Sequence, residues 1–214
     1  VWSAGSEQHL YLDRAAAEGA GLGDALRRWK EALPHGGRRI KAQVWLSGGL
    51  ARAFMMAPVE GLRNRAEAER TAEAMAPAET GLEGACIVWL DAWKPAHPCL
   101  AVAVQQDLIA ALQAAAAEAG IGLRSVQPCW NQALSEQLKR KGSIRMLAAV
   151  ESDALTVLAS DGQGITHAQS CCPVPAADRI EAQLRRQAVS LGIPASEVIR
   201  VSLDGTMQWQ ELGS

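Results

Sequence analysis

A chain of 214 residues is long enough for one compact domain or two small lobes around a buried core, without help from metals or disulfides. With 49% hydrophobic residues, 21% charged residues and a net charge of -2, it has no cationic field for unspecific binding to a phosphate backbone, which argues against nucleic acid as a partner. No apolar run reaches the roughly 18–20 residues that cross a bilayer and no signal peptide opens the chain, so the expectation is a soluble chain with no membrane span of its own.

In chain order, the first signals are a strand or hairpin around Gln8 to Asp13 and a Gly-rich bend at Gly19 to Gly23. A helix is predicted from about Asp24 to Leu33: Asp24 is a cap residue, Leu26, Trp29 and Leu33 share a face, and Pro34-His35-Gly36-Gly37 stops it. Ile40 to Ser47 has strand composition, and Ala51 to Ala57 reads as a second strand broken by Pro58. Gly48-Gly49 between them read as hairpin glycines. Asn64 to Met75 is an Ala-rich helix whose Glu67, Glu69, Arg70 and Glu73 form a solvated face. Ala85 to Ala92 is an apolar run of strand length, followed by a loop over Lys94 to Pro98.

Leu100 to Pro128 carries the strongest pattern. A buried strand, Leu100 to Val104, leads into a helix with Leu108, Ile109, Leu112, Ala115, Ala116 and Ala119 at helical spacing, a Gly120 stop and a strand at Leu123 to Val126. This predicts a βαβ crossover and a partly parallel sheet. Its first turn, Gln105-Gln106-Asp107, lacks the glycines of a phosphate loop. Trp130 to Lys139 is a short helix, and Lys139-Arg140-Lys141-Gly142 a basic hinge. Beyond it, strands are predicted at Ile144 to Val150, Leu155 to Ala159 and Ile165 to Gln169, with a tight turn at Ser160-Asp161-Gly162. A helix over Ala177 to Leu191 directs Ile180, Leu184, Ala188 and Leu191 inward, and Val198 to Leu203 closes a β-β-β-α-β order.

The side chains able to do chemistry are few. Five cysteines, Cys86, Cys99, Cys129, Cys171 and Cys172, form no C-x-x-C pair, so neither a disulfide framework nor a zinc ribbon is indicated and a reducing cytoplasm is the simpler setting. Cys171-Cys172 and Cys129 read as buried inert thiols, because no neighbouring His or helix terminus makes a thiolate. His97-Pro98-Cys99 falls short of a zinc site, and His167 reads as a sheet residue. Trp89 and Trp93 bracket Asp91 and form a candidate partner surface, since Trp is enriched at binding hot spots. Glu151, Ser152 and Asp153 sit in the turn between two strands, where carboxylates would serve either as solvated turn residues or, with distal partners such as Asp91 and Asp204, as a metal-assisted hydrolytic site.

The β-β-β-α-β order after a lobe of similar elements resembles the actin-like ATPase fold, the ribonuclease-H-like duplication of actin and the sugar kinases. The stretches IKAQVWLSGGLARAFMMAPV, NRAEAERTAEAM, GACIVWLDAW, LAVAVQQDLIAALQAAAAEAGIGLRSVQPCWNQAL and IRMLAAVESDALTVLASDGQGITHAQSCCP, within residues 38–205, are similar in order and spacing to the PilM and GspL group of type IV pilus and type II secretion platforms. The resemblance implies an α/β actin-like fold of two lobes with mixed sheets: residues 1–141 with a small inserted subdomain over about 52–98, and a reduced second lobe over 142–214.

Members of that superfamily that bind ATP place an Asp-x-Gly turn between the first two strands of each lobe, where the glycine admits backbone N–H groups to a phosphate and the acid engages magnesium. The second-lobe position here is Glu151-Ser152-Asp153, without glycine, and at the first-lobe position, near Val1 to Gly5, no acid precedes Gly5. The expectation is therefore a degenerate phosphate loop at Glu151, Ser152 and Asp153, no catalytic residue, no metal and no cofactor: a pseudo-ATPase scaffold working by protein contacts. The resemblance implies a cytoplasmic position against the bacterial inner membrane and, as partner, the cytoplasmic tail of a bitopic platform protein, with an assembly ATPase and a homodimer as further candidates. The rival is an ATP and magnesium binder, or a metal-dependent ribonuclease-H-like hydrolase, using residues 151–153. The start at Val1 also fits a fragment of a longer protein whose anchor lies beyond Ser214.

Overall fold

The computed structural model of the chain describes residues 21–32, 40–141, 143–203 and 208–211. The helices are α1 (Gly21–Ala32), α2 (Arg65–Thr80), α3 (Gln106–Glu118), α4 (Cys129–Lys141) and α5 (Ala177–Ser190), with a 3₁₀ turn at Ala195–Glu197. The strands are β1 (Ile40–Leu46), β2 (Ala51–Met56), β3 (Cys86–Leu90), β4 (Cys99–Gln105), β5 (Ile121–Pro128), β6 (Met146–Val150), β7 (Leu155–Ser160), β8 (Ile165–Cys171), β9 (Val198–Ser202) and β10 (Gln208–Glu211). The segments predicted at Gln8 to Asp13, Gly19-Ala20 and Pro34 to Gly37, the first-lobe position at Val1 to Gly5, and Gly142 and Asp204 lie outside the described residues.

Two compact units emerge, residues 1–43 with 107–125 and residues 44–106 with 126–214, a division that does not follow the sequence boundary at 141/142. In the smaller unit, Leu26 and Trp29 of α1 join Ile40, Ala42 and Leu123 around Ala116, Ala119 and Ile121. Lys30 Nζ donates to the Ala119 carbonyl at 2.7 Å, so a cation satisfies the C-terminal end of α3 where carbonyls lack helical partners. Gly120 follows in the left-handed conformation, φ 63°, as a helix stop requires. α1 begins earlier than predicted; Asp24 lies in its first turn and pairs with Arg27 rather than capping the helix.

The larger unit is built on an eight-stranded sheet in the order β10-β9-β6-β7-β8-β2-β4-β3. Within this sheet every neighbouring pair is antiparallel except β6 with β9. α2 packs over β2, β4 and β3 through Ala68, Ala72 and Ala76 against Phe54, Val88 and Ala101. Ala at every fourth position brings the helix close to the sheet. Asn64, the first residue of the predicted helix, is instead the cap of α2: its side chain accepts from the Glu67 amide at 3.0 Å. The helix runs past the predicted end, through Pro77, to a left-handed Gly81 whose N–H donates to the Pro77 carbonyl. α5 packs on the other strand set, with Ile180, Leu184 and Ala188 against Met146, Val157 and Val198. Phe54 and Gln169 are cross-strand partners; Phe54 lies under α2 and Gln169 meets Gln187 of α5 at 3.1 Å, so both helices cover the same face.

Two predicted pairings are corrected. β1 pairs with β5, whereas β2 pairs with β4 and β8, so Gly48-Gly49 are not hairpin glycines but a turn between two sheets. β4 and β5 likewise belong to different sheets; α3 connects sheets, and the parallel pair is instead β6 with β9, the chain reaching β9 from β8 through α5. Both errors have one cause: strand partners are chosen by long-range burial, which neighbouring residues do not report. β10 was not anticipated.

Candidate functional site

The predicted turn between β6 and β7 is present. Val150 and Leu155 close the ladder and the Glu151 amide donates to the Ala154 carbonyl at 2.9 Å. Glu151 is buried, Ser152 exposed and Asp153 half-buried. Opposite lies a second tight turn, Ser47 to Leu50, closed by the Leu50 and Ala51 amides on the Ser47 carbonyl at 3.0 and 2.8 Å. The Gly48 N–H donates to Glu151 Oε2 at 2.6 Å, and the Ser47 hydroxyl to Asp153 Oδ2 at 2.7 Å. A bound carboxylate thus occupies the backbone donor that an anion would otherwise take.

No space separates the two turns. A Cβ on Gly48 would collide with Thr156 Oγ1 and stand 2.8 Å from Glu151 Oε2, and one on Gly49 would collide with Asp153 Oδ2. Close approach rather than backbone angle favours glycine at both positions: a larger residue at 49 would have to push the Asp153 carboxylate aside, and one at 48 the Thr156 hydroxyl and the Glu151 carboxylate. Arg52 secures the turn from the other side: its Nε donates to the Gly49 carbonyl at 3.2 Å and its Nη1 to the Thr80 carbonyl at the end of α2 at 2.6 Å. Below, Thr156 and Ser170 share a 2.9 Å hydrogen bond, and the Ala53 N–H donates to Ser170 Oγ at 3.0 Å.

Thiols border the same place without being activated. Burial first, then the charge of Glu151 and a hydrogen bond to it, push the Cys129 thiol up to about 12. Burial also raises Cys172, whose Sγ contacts the Gly48 carbonyl at 3.8 Å; the Arg52 guanidinium opposes that rise and Asp153 adds to it. Burial raises Cys86 and Cys99 as well. Each of these four thiols is held away from the thiolate that a nucleophile or metal ligand needs.

The other candidates are scattered. Trp89 alternates away from Val88, which packs under α2, while Trp93 packs against the α2 core itself. Asp91 is exposed, with its backbone tied to Leu100 and Cys99. The three do not form one surface. His97 Nδ1 lies 2.9 Å from the Pro95 carbonyl, and burial lowers His167. Among the described residues no three His, Cys, Asp or Glu side chains converge as metal ligands. The residues missed from sequence are Ser47, Gly48 and Gly49; their one signal, three small residues before an apolar strand, reads equally well as a hairpin turn.

No protein-family model and no curated protein sequence matches the chain. Solved structures do. The PilM-PilN type IV pilus biogenesis complex superposes with TM-score 0.55 at 14% identity, over 80% of this chain and 54% of that one. A Bacteroides thetaiotaomicron protein of unknown function with an actin-like ATPase fold gives 0.52 at 12%, over 82% and 65%. The cytoplasmic domain of EpsL, an inner-membrane component of the type II secretion system of Vibrio cholerae, gives 0.45 at 16%, over 75% and 59%. The chain thus spans 54–65% of the lengths of the structures it matches, and its fold is the actin-like ATPase fold.

Proposed function

We propose that the chain is a non-catalytic actin-like scaffold of a type IV pilus or type II secretion platform at the bacterial inner membrane, working by protein contacts. One observation carries the non-catalytic reading: the place where a phosphate would need backbone N–H groups is filled by Glu151, which accepts from the Gly48 N–H at 2.6 Å, and Asp153, which accepts from the Ser47 hydroxyl at 2.7 Å. Two carboxylates at that point repel a triphosphate, and the touching turns leave it no volume. The platform reading rests on likeness of fold to the PilM-PilN complex. In it, the chain sits on the cytoplasmic side and takes the cytoplasmic tail of a bitopic membrane protein as partner, with an assembly ATPase beyond. Among the described residues no helix is long and apolar enough to cross a membrane, so in this proposal the partner supplies the attachment.

The test is titration of the purified chain with ATP and magnesium, then with manganese alone, followed by tryptophan emission and melting temperature. No saturable response up to millimolar ligand is expected. Saturable binding with a raised melting point, about 2.7 kcal/mol of stabilisation at a hundredfold excess over Kd, would instead make residues 151–153 a working site and the chain a nucleotide or metal binder.

A further inference from the structure

The eight-stranded sheet is two strand sets joined along a thin seam. β2, β4 and β3 have their own core under α2, and β6 to β9 have theirs under α5. β2 pairs with β4 along its whole length, from Ala51↔Val104 to Met56↔Cys99, but shares with β8 only the pair Phe54↔Gln169. Beside that pair, a side chain replaces a ladder bond: the Ala53 N–H goes to Ser170 Oγ at 3.0 Å.

The two turns span the same seam at its end. Ser47 to Leu50 leads directly into β2, and Glu151 to Asp153 joins β6 to β7. Their two hydrogen bonds, at 2.6 and 2.7 Å to carboxylates, have the short lengths of charge-assisted bonds, roughly twice as strong as neutral ladder bonds. Arg52 carries the connection on to the Thr80 carbonyl of α2. Asp153 Oδ1 is buried without a hydrogen-bond partner among the described residues, which costs stability and offsets part of the contact.

We propose that Glu151 and Asp153 form a conformational latch: their grip on Ser47 and Gly48 holds the two strand sets together, and its release lets them part along the β2/β8 seam. The latch is independent of any nucleotide, so it stands or falls apart from the scaffold reading.

Hydrogen exchange on the full chain tests it, comparing wild type with Glu151→Gln/Asp153→Asn, which removes both charges and keeps the shapes. Leu184→Ala, in the α5 core, serves as a generally destabilised control. The latch predicts at least tenfold faster exchange in peptides covering residues 51–56 and 165–171, with β4 and β9 keeping wild-type protection. Faster exchange confined to 47–50 and 151–154, or a uniform rise like that of Leu184→Ala, would overturn it. Should the double variant not fold, Ser47→Ala removes a single donor and must reproduce the seam pattern at smaller amplitude; wild-type exchange at the seam in that variant would equally overturn it.

Discussion

The Cys129 thiol begins α4 beside two carboxylates, and its proton is held accordingly. Its folded value is pushed up to about 12 from an ordinary 9.0. An acid whose pKa rises on folding binds its proton more tightly in the native state, so the unfolded chain ionises first. The associated stability is fully present below pH 9 and is lost as pH rises from 9 towards 12. Melting temperature measured from pH 8 to 11 should therefore fall for wild type and fall less steeply for Cys129→Ser, which keeps a donor to Glu151 and does not titrate. Some slope will remain, because burial also raises Cys86, Cys99 and Cys172. Equal slopes in the two proteins would mean that neither burial nor Glu151 raises the Cys129 thiol on folding. At this scale half of the site was legible: a hairpin turn with acids and no glycine is visible in residues 151–153. The other half was not, since Gly48 meets Glu151 across 103 positions and nothing local in Ser47-Gly48-Gly49 announces an acidic partner.

Elements were legible where their ends carry local chemistry. Asn64, Gly120 and Ser160-Asp161-Gly162 mark the boundaries the structure has, and in the last of these Asp161 accepts the Gln163 and Gly164 amides at 2.8 and 3.1 Å. Those two amides hold the Asp161 carboxyl below its ordinary value. Local rules failed where tertiary packing overrides them: α2 continues through Pro77 because Ala76 and Thr80 are buried beyond the point where Ala72 meets the sheet. The amphipathic reading of α5 supports a quantitative expectation. Leu184 has no exposed surface and lies among Met146, Val157 and Ile180. Leu184→Asp would place a carboxylate there without a cation, and should cost about 4 kcal/mol or more, the range reserved for buried unpaired charge. Urea unfolding measures it; a loss below about 1 kcal/mol would mean that α5 can shift to expose the position.

At the scale of the molecule, sequence periodicity identified the strands but not their partners, and the partners decide which residues form a cooperative unit. The smaller unit has a two-stranded sheet and, among the described residues, buries Leu22, Leu108, Ile109, Leu112, Ala115, Ala116, Ala119 and Ile121, while Leu26, Trp29, Ile40, Ala42 and Leu123 are only partly buried. Two strands are marginal by themselves, and the large side chains of this core, Leu22, Leu108, Ile109, Leu112 and Ile121, each keep some exposure. The larger unit buries Met146, Leu147, Leu155, Leu158 and Leu184 almost completely. The free energies of local opening must therefore differ. Native-state hydrogen exchange in low denaturant should find the amides of residues 21–32 and 107–118 opening before those of β6 and β7, with protection lower by about a hundredfold, close to 3 kcal/mol. Identical opening free energies in both sets would show that the chain unfolds as one cooperative body.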